Sequence, residues 1–435
     1  MAMHNLIKTN LLIIIVLVFI RTEMAWSQLT ISGEIRPRAE LRHGFKSLLP
    51  EGAEPAFFIE QRSRINLRYI KDDLRFYISA QDVRIWGNTS QIYKYDPAVI
   101  NVYEAWAEYS FSEKTGIRLG RQALDYDNAR FLGDLDWAQQ GRSHDLILFK
   151  YQDTTNIQLH VGAAFNQNVA FEPGRLSGTV YDGLDNYKTM QFAWFHKSWA
   201  KSNYSFLFLN DGRQSVNPAT QAAPVYFRQT VGFIGQKRIS SFIDGNAEVY
   251  HQSGKDPQGA KVSAWLLAAS LIYKTGFSPV TVGFDYLSGT GPDAIVNNSF
   301  QPLYGTNHKF YGLMDYFYVG SNHGNAGRTA GLHDLYLKTN LTINPTNKLL
   351  VHFHHFRSPV TVFANEQMTV TSSSHLGEEI DLVWNSQWSK EVTFNLGYSQ
   401  MFGTESLRAL KGVPNPASLQ FWAWAMITVK PTFLN

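Results

Sequence analysis

Gly33-Glu34-Ile35-Arg36-Pro37-Arg38-Ala39-Glu40-Leu41-Arg42 and Ile59-Glu60-Gln61-Arg62-Ser63-Arg64-Ile65-Asn66-Leu67-Arg68 decide how this chain is read. In the first, Glu34, Arg36, Arg38, Glu40 and Arg42 fall on one parity, and Ile35, Pro37, Ala39 and Leu41 on the other. In the second, Glu60, Arg62, Arg64, Asn66 and Arg68 alternate with Ile59, Ser63, Ile65 and Leu67. A period of two is the mark of a strand with two different faces, because successive side chains point to opposite sides of a sheet. The same alternation recurs around Tyr103–Phe111 and Glu379–Trp384, and helical spacing hardly occurs.

Working outward, strands are expected near 29–42, 58–70, 74–86, 101–111, 116–124, 137–151, 156–166, 187–199, 203–210, 226–236, 241–251, 262–274, 279–288, 331–343, 348–357, 375–387, 391–402 and 418–430, eighteen in all. The links alternate in length. Short turns such as Lys71-Asp72-Asp73 and Gln152–Thr155 alternate with long loops such as 43–57, 125–136, 167–186, 289–330, 358–374 and 403–417. Long strands with aromatic-rich apolar faces, short turns on one side and long loops on the other describe a transmembrane barrel. The fold class is therefore all-β: a single antiparallel transmembrane β-barrel of about eighteen strands, with short periplasmic turns and long extracellular loops. Trp86, Trp194, Trp199, Trp265, Trp384, Trp388, Trp422 and Trp424 are read as interface girdles.

Composition fits. The 435 residues carry 39 basic and 36 acidic side chains and no Cys, which excludes a disulfide framework and a zinc finger, and no nucleic-acid partner is expected at a net charge of +3. Residues 1–27 read as a signal peptide: Lys8, an apolar run from Leu11 to Ile20 too short to span a bilayer, then Ala25-Trp26-Ser27. Residues 28–435 are then one outer-membrane barrel, embedded in lipid, delivered by the barrel assembly machinery and monomeric.

The polar parity of a barrel strand faces the lumen. Twelve of the 20 Arg lie between 29 and 150, among them Arg36, Arg38, Arg62, Arg64, Arg121, Arg130 and Arg142, with only five Lys beside them. Arg in place of Lys suits fixed, bidentate carboxylate partners, from the wall or from a ligand. Glu34, Glu40, Glu60, Glu104 and Glu108 could neutralise these groups; any Arg left over would attract anions. His352 and His354 share a face, with His355 opposite, a possible metal pair, yet no carboxylate cluster sits at ligand spacing, so no metal, no cofactor and no catalytic residue is assigned. Glu378, Glu379 and Asp381 lack a visible partner for glycosidase chemistry. The long loop 289–330 is too long for a plain tether and, with His308, Lys309, Tyr311 and Asp315, could cap the pore.

These residues resemble the alginate export family of outer-membrane barrels, in the form carried by Bacteroidetes-type bacteria. The resemblance rests on Gly33–Arg38, Glu60–Arg64, Gln81–Trp86, Glu104-Ala105-Trp106, Gly120-Arg121-Gln122 with Asp125 to Gly133, Arg142 with Asp145, the His308 to Phe317 stretch and Gly377–Asp381, in that order. It implies an eighteen-stranded monomer with an electropositive pore for an anionic polysaccharide or oligosaccharide such as a polyuronate, gated by loops. By position it implies that Arg62, Arg64, Arg121, Arg130 and Arg142 line the pore, with Asp125, Asp134 and Glu104 as their partners. Smaller anionic solutes are equally compatible. The competing expectation is a non-conducting barrel that acts through its loops as an adhesin or a lipid-modifying enzyme.

Overall fold

The computed structural model describes residues 28–88, 100–167, 187–215, 220, 223–321, 323–325, 328–363 and 370–435. The expected signal peptide, 1–27, lies outside them, as do parts of the loops at 87–100, 167–186, 211–225, 289–330 and 358–374. Eighteen strands form the wall: β1 Gln28–His43, β2 Ala56–Lys71, β3 Leu74–Ile85, β4 Ile100–Ser110, β5 Thr115–Gln122, β6 His144–Gln152, β7 Ile157–Phe165, β8 Thr189–Trp199, β9 Ser202–Gln214, β10 Val225–Arg238, β11 Ile243–Lys255, β12 Lys261–Lys274, β13 Pro279–Leu287, β14 Leu332–Asn344, β15 Asn347–Arg357, β16 His375–Gln387, β17 Val392–Gly403 and β18 Phe421–Val429. Each pairs antiparallel with the next, and β18 pairs back onto β1, from His43 opposite Phe421 to Ile35 opposite Val429. Beyond Pro431, which has no N–H to give, Thr432–Leu434 resumes the pairing on β1. The ring therefore has no open edge, which is the condition for β-structure in lipid. Among the described residues no helix is long and apolar enough to cross a membrane.

The alternation places faces as expected. Glu34, Arg36, Arg38 and Glu40 are buried inside, whereas Ile35 and Ile65 stand exposed outside with Phe57, Phe76, Leu119 and Phe149. Trp86, Trp199, Trp265, Trp384 and Trp388 are outside as well. Trp194, Trp422 and Trp424 are not girdle residues: they point inward and are buried, Trp194 donating to Asp127 and Trp422 to Glu40. The expected strand 137–151 starts late, at His144, because Trp137 to Ser143 belong to a loop turned into the lumen.

With eighteen strands about 4.8 Å apart and tilted about 40°, the ring is roughly 35 Å across its backbone. Wall side chains cannot fill that space. Two loops do, the β5–β6 loop (123–143) and the β13–β14 loop (288–331). Leu132, Phe300, Met314, Tyr316 and Phe317 are fully buried and belong to one continuous core with wall residues such as Leu209, Leu266 and Trp422. The loops pair with each other: Gly133 N–H donates to Tyr304 O at 2.7 Å and Thr306 N–H to Ala129 O at 2.8 Å. A short helix, α1 (Glu405–Lys411), capped by Thr404 at its start and left-handed Gly412 at its end, closes over them. Its Lys411 donates to Lys46 O and Tyr316 O.

Candidate functional site

The lumen site is built where the β5–β6 loop meets the inner face of β1 and β2. Asp136 is its hub. Its carboxylate lies 2.9 Å from Arg62 Nη2, 3.4 Å from Arg36 Nη1 and 3.4 Å from Arg64 Nη1. Arg36 also donates to Gln139 Oε1 at 3.0 Å and to Asp136 O at 2.8 Å. Arg38 donates to Trp137 O at 2.9 Å, lies over the Trp137 ring, and pairs with Glu40 and Glu60. Arg62 is 0% exposed and pairs with Glu34 at 2.6 Å, while the Asp136 side chain is 44% exposed. Arg64 donates to Gln81, stacks on Tyr103, and keeps its buried Nη2 without a protein partner. Burial pushes the Asp136 carboxyl up, but Arg62, then Arg36 and Arg64, hold it below the usual carboxylate range. That depressed value makes the docking contribution fully present above the ordinary carboxylate range of about 3.9 and lost as pH falls below it.

Arg130 makes the opposite anchor. Its Nε reaches Glu248 on β11 at 2.9 Å, and its Nη1 reaches Asp285 on β13 at 3.0 Å and the Tyr311 hydroxyl at 2.8 Å. Burial works against its charge, yet Asp285 and Glu248 raise its pKa well above the ordinary value. In a ring of eighteen, β2 and β11 are diametrically opposed, so one loop spans the lumen from wall to wall.

The other expected residues divide. Arg142 donates to Gly305 O at 2.9 Å and Gly133 O at 3.3 Å, and so ties the two loops together. His308 is buried, bonded to Asp315 at 2.7 Å and stacked 4.6 Å from Trp137. Tyr311 is buried against Arg130. Lys309 and Asp125 are solvent-exposed although both loops lie inside the ring, which shows open space between them. Crowding by neighbours still lowers the Lys309 pKa and raises that of Asp125, the latter also through Asp134.

Two expectations fail. Arg121 does not line the pore. It shares its parity with Leu119 on the outer face of β5 and pairs there with Asp145 at 2.8 Å. Arg121→Ala is expected to leave reversal potential unchanged in a bilayer recording and to cost no more than about 1 kcal/mol, the worth of an exposed pair. Nor are the carboxylates of Asp125, Asp134 and Glu104 those on which Arg36, Arg62, Arg64 and Arg130 close; Asp134 meets Arg142 through its backbone O, which accepts from Arg142 N at 2.6 Å. Glu104 accepts from Trp106 Nε1 and Ala123 N, Asp134 from Asp136 N, and Asp125 makes no ion pair among the described residues. Asp136, Glu248 and Asp285 do that work, and spacing alone could not have found them, since each meets its arginine across the lumen.

A cavity of about 490 Å³ opens beside the hub, lined by Arg36, Asp136, Trp137, Lys390, Thr393 and Lys430 among others. It reaches Lys390 and Glu391 of the short β16–β17 turn, so it lies on the short-turn side of the septum.

Residues 27–416 match the family model described as Alginate export, and the chain belongs to that family. Among curated protein sequences none matches it. Solved structures similar in fold are Pseudomonas aeruginosa OpdL (12% identity, 93% of this chain and 99% of that one, TM-score 0.62), OccK8, also called OprE (9%, 93% and 98%, 0.61), and OpdK with vanillate (9%, 93% and 99%, 0.60), all from the same organism. At these identities the likeness is one of fold: an outer-membrane barrel.

Proposed function

We propose that this member of the alginate export family is a gated outer-membrane channel for carboxylate-bearing solutes, either an acidic polysaccharide or smaller organic anions. One observation carries it: three guanidinium groups, Arg36, Arg62 and Arg64, converge on a single loop carboxylate, Asp136, at the edge of an open cavity. Asp136 stands where the carboxylate of a passing solute would bind, and holds the site while the loop is docked. Bidentate guanidinium geometry suits uronate carboxylates, and several weak sites in series suit passage better than one strong one. Vanillate, named with one structural neighbour, is itself an aromatic carboxylate.

Asp136→Asn tests the reading, because it keeps the volume and removes the competing charge. Recorded in a planar bilayer under a KCl gradient, the variant should be more anion-selective than the parent. Oligouronate should block it at about a tenfold lower concentration, since a charge-assisted hydrogen bond contributes about 1.5 kcal/mol or more. Unchanged reversal potential and unchanged block would mean that solutes do not meet these arginines. The second reading, a closed barrel acting through its outer loops, draws on the same septum: it is favoured if no variant conducts.

A further inference from the structure

We infer that the inner wall beneath the β13–β14 loop binds a divalent transition-metal ion through His352, His354 and Asp381. The pairing of β15 with β16 sets His352 beside Asp381 and His354 beside Glu379, all on the lumen face. The donor atoms of His352, His354 and Asp381 lie within 4.8 Å of one another. Bonds of about 2.0–2.1 Å put tetrahedral donors about 3.4 Å apart, so side-chain rotation of at most about 1.4 Å closes the site.

His354 is also oriented for a metal ion. His354 Nδ1 lies 2.9 Å from both oxygens of Asp334 on β14. With the proton held there, Nε2 keeps its lone pair and faces Asp381 Oδ2 at 3.9 Å. A carboxylate behind a histidine is how proteins fix the tautomer of a metal-binding imidazole. His352 Nδ1 is buried with no protein partner, and Asp381 Oδ1 and Glu379 Oε2 have none beyond the contact between these two carboxyl groups themselves. Such orphans call for an explanation, an unplaced ion among them.

Charge points the same way. Asp285, Asp334, Glu379 and Asp381 are each at most 1% exposed. The fixed cations among them are Arg130, which is shared with Glu248, and Lys338, which donates to Phe310 O and lies over the Tyr336 ring. A divalent ion would take the place of the proton through which Glu379 and Asp381 otherwise meet. Two imidazoles and a carboxylate select a metal such as Zn²⁺ or Co²⁺ over Ca²⁺ or Mg²⁺, which take oxygen ligands. Asp381 and Glu379 also accept the backbone N–H groups of Leu313 and Met314 at 3.4 and 2.7 Å, so a bound ion would steady the carboxylates on which the loop rests.

His355, His375 and Glu378 form a second cluster on the outer face. There Glu378 Oε1 already accepts from His355 and His375 at 2.9 and 2.8 Å. It leaves no orphan and serves as the control.

The test uses full-length barrel in detergent, purified without a polyhistidine tag and stripped with EDTA, then titrated with Zn²⁺ by calorimetry and with Co²⁺ by visible absorption. One ion per barrel is expected. Binding should be lost in His354→Gln and Asp381→Asn and weakened about 10–100-fold in Asp334→Asn. It should persist in His355→Gln/His375→Gln. Absence of binding, or binding removed by the outer pair and untouched by His354→Gln, overturns the inference. The heat-dependent shift of the barrel on a gel shows that each variant is folded. Should His354→Gln fail that check, Asp334→Asn, which alters no donor atom, decides. None of these readouts depends on conduction.

Discussion

Arg130→Met is expected to free the β5–β6 loop from the far wall while leaving the barrel closed. The guanidinium is buried against Glu248, Asp285 and the Tyr311 hydroxyl, and it lies 4.1 Å over the Phe310 ring. Met keeps much of the apolar stem and removes the charge. Two carboxylates then stay buried with no cation in contact, and breaking a buried pair in this way costs about 3–5 kcal/mol. At about 1.4 kcal/mol per decade, that shifts the docked-to-undocked ratio by roughly two to four orders of magnitude. The wall is held by eighteen backbone pairings in which Arg130 takes no part, so the cost falls on the loop. Protease added to the intact detergent-solubilised barrel should cut within 125–136, and amide exchange of Ala129, Gly133 and Leu135 should accelerate. Adding Glu248→Gln and Asp285→Asn removes the stranded charges and should restore most of the protection. Protection that is unchanged in Arg130→Met, or a triple variant as labile as the single one, would show that the loop is held by its packing instead.

The eighteen strands were legible because each one carries its own evidence. A wall that separates lipid from a polar lumen imposes alternation residue by residue, as Ile35 and Arg36 show. The filling of the lumen was not legible, because it depends on meetings between distant segments. Nothing near Asp136 announces that it will face Arg36, Arg62 and Arg64 across about 70 to 100 positions of chain. Trp137–Ser143 extended the alternation of β6 backwards and so resembled wall. Trp422 and Trp424 resembled lipid anchors because an aromatic residue facing a buried loop has the same composition as one facing acyl chains. Arg121 differs from these: its position was readable. Residues 118 and 121 have opposite parity, so once Arg118 faces Glu108 inside, Arg121 must face out. The metal donors were half legible, as two histidines two apart, and the carboxylate was supplied by the neighbouring strand.

Gly312→Val is expected to raise single-channel conductance to the open level of the barrel. Gly312 has φ +82°, which a β-branched residue adopts only with strain. A Cβ there would lie 2.6 Å from the Glu379 carboxylate, against a wall side chain that is itself fully buried. Either the segment lifts or Glu379 moves, and both break the hydrogen bonds from Leu313 and Met314 to Asp381 and Glu379. With both loops withdrawn, a ring of eighteen strands leaves a wide aqueous channel, as barrels of 16–18 strands do. Deletion of residues 302–320 should give the same open level by a different route. No current from either variant would favour the non-conducting reading. The double variant Arg130→Met/Gly312→Val then decides how the gate is built. The loops share the Gly133–Tyr304 and Ala129–Thr306 hydrogen bonds and the Arg142 bridge to Gly305, so they should leave as one body. In that case each single change already opens the septum, and the double change adds little. Additive conductance would mean two independent gates, because only residues within one coupled unit depart from additivity.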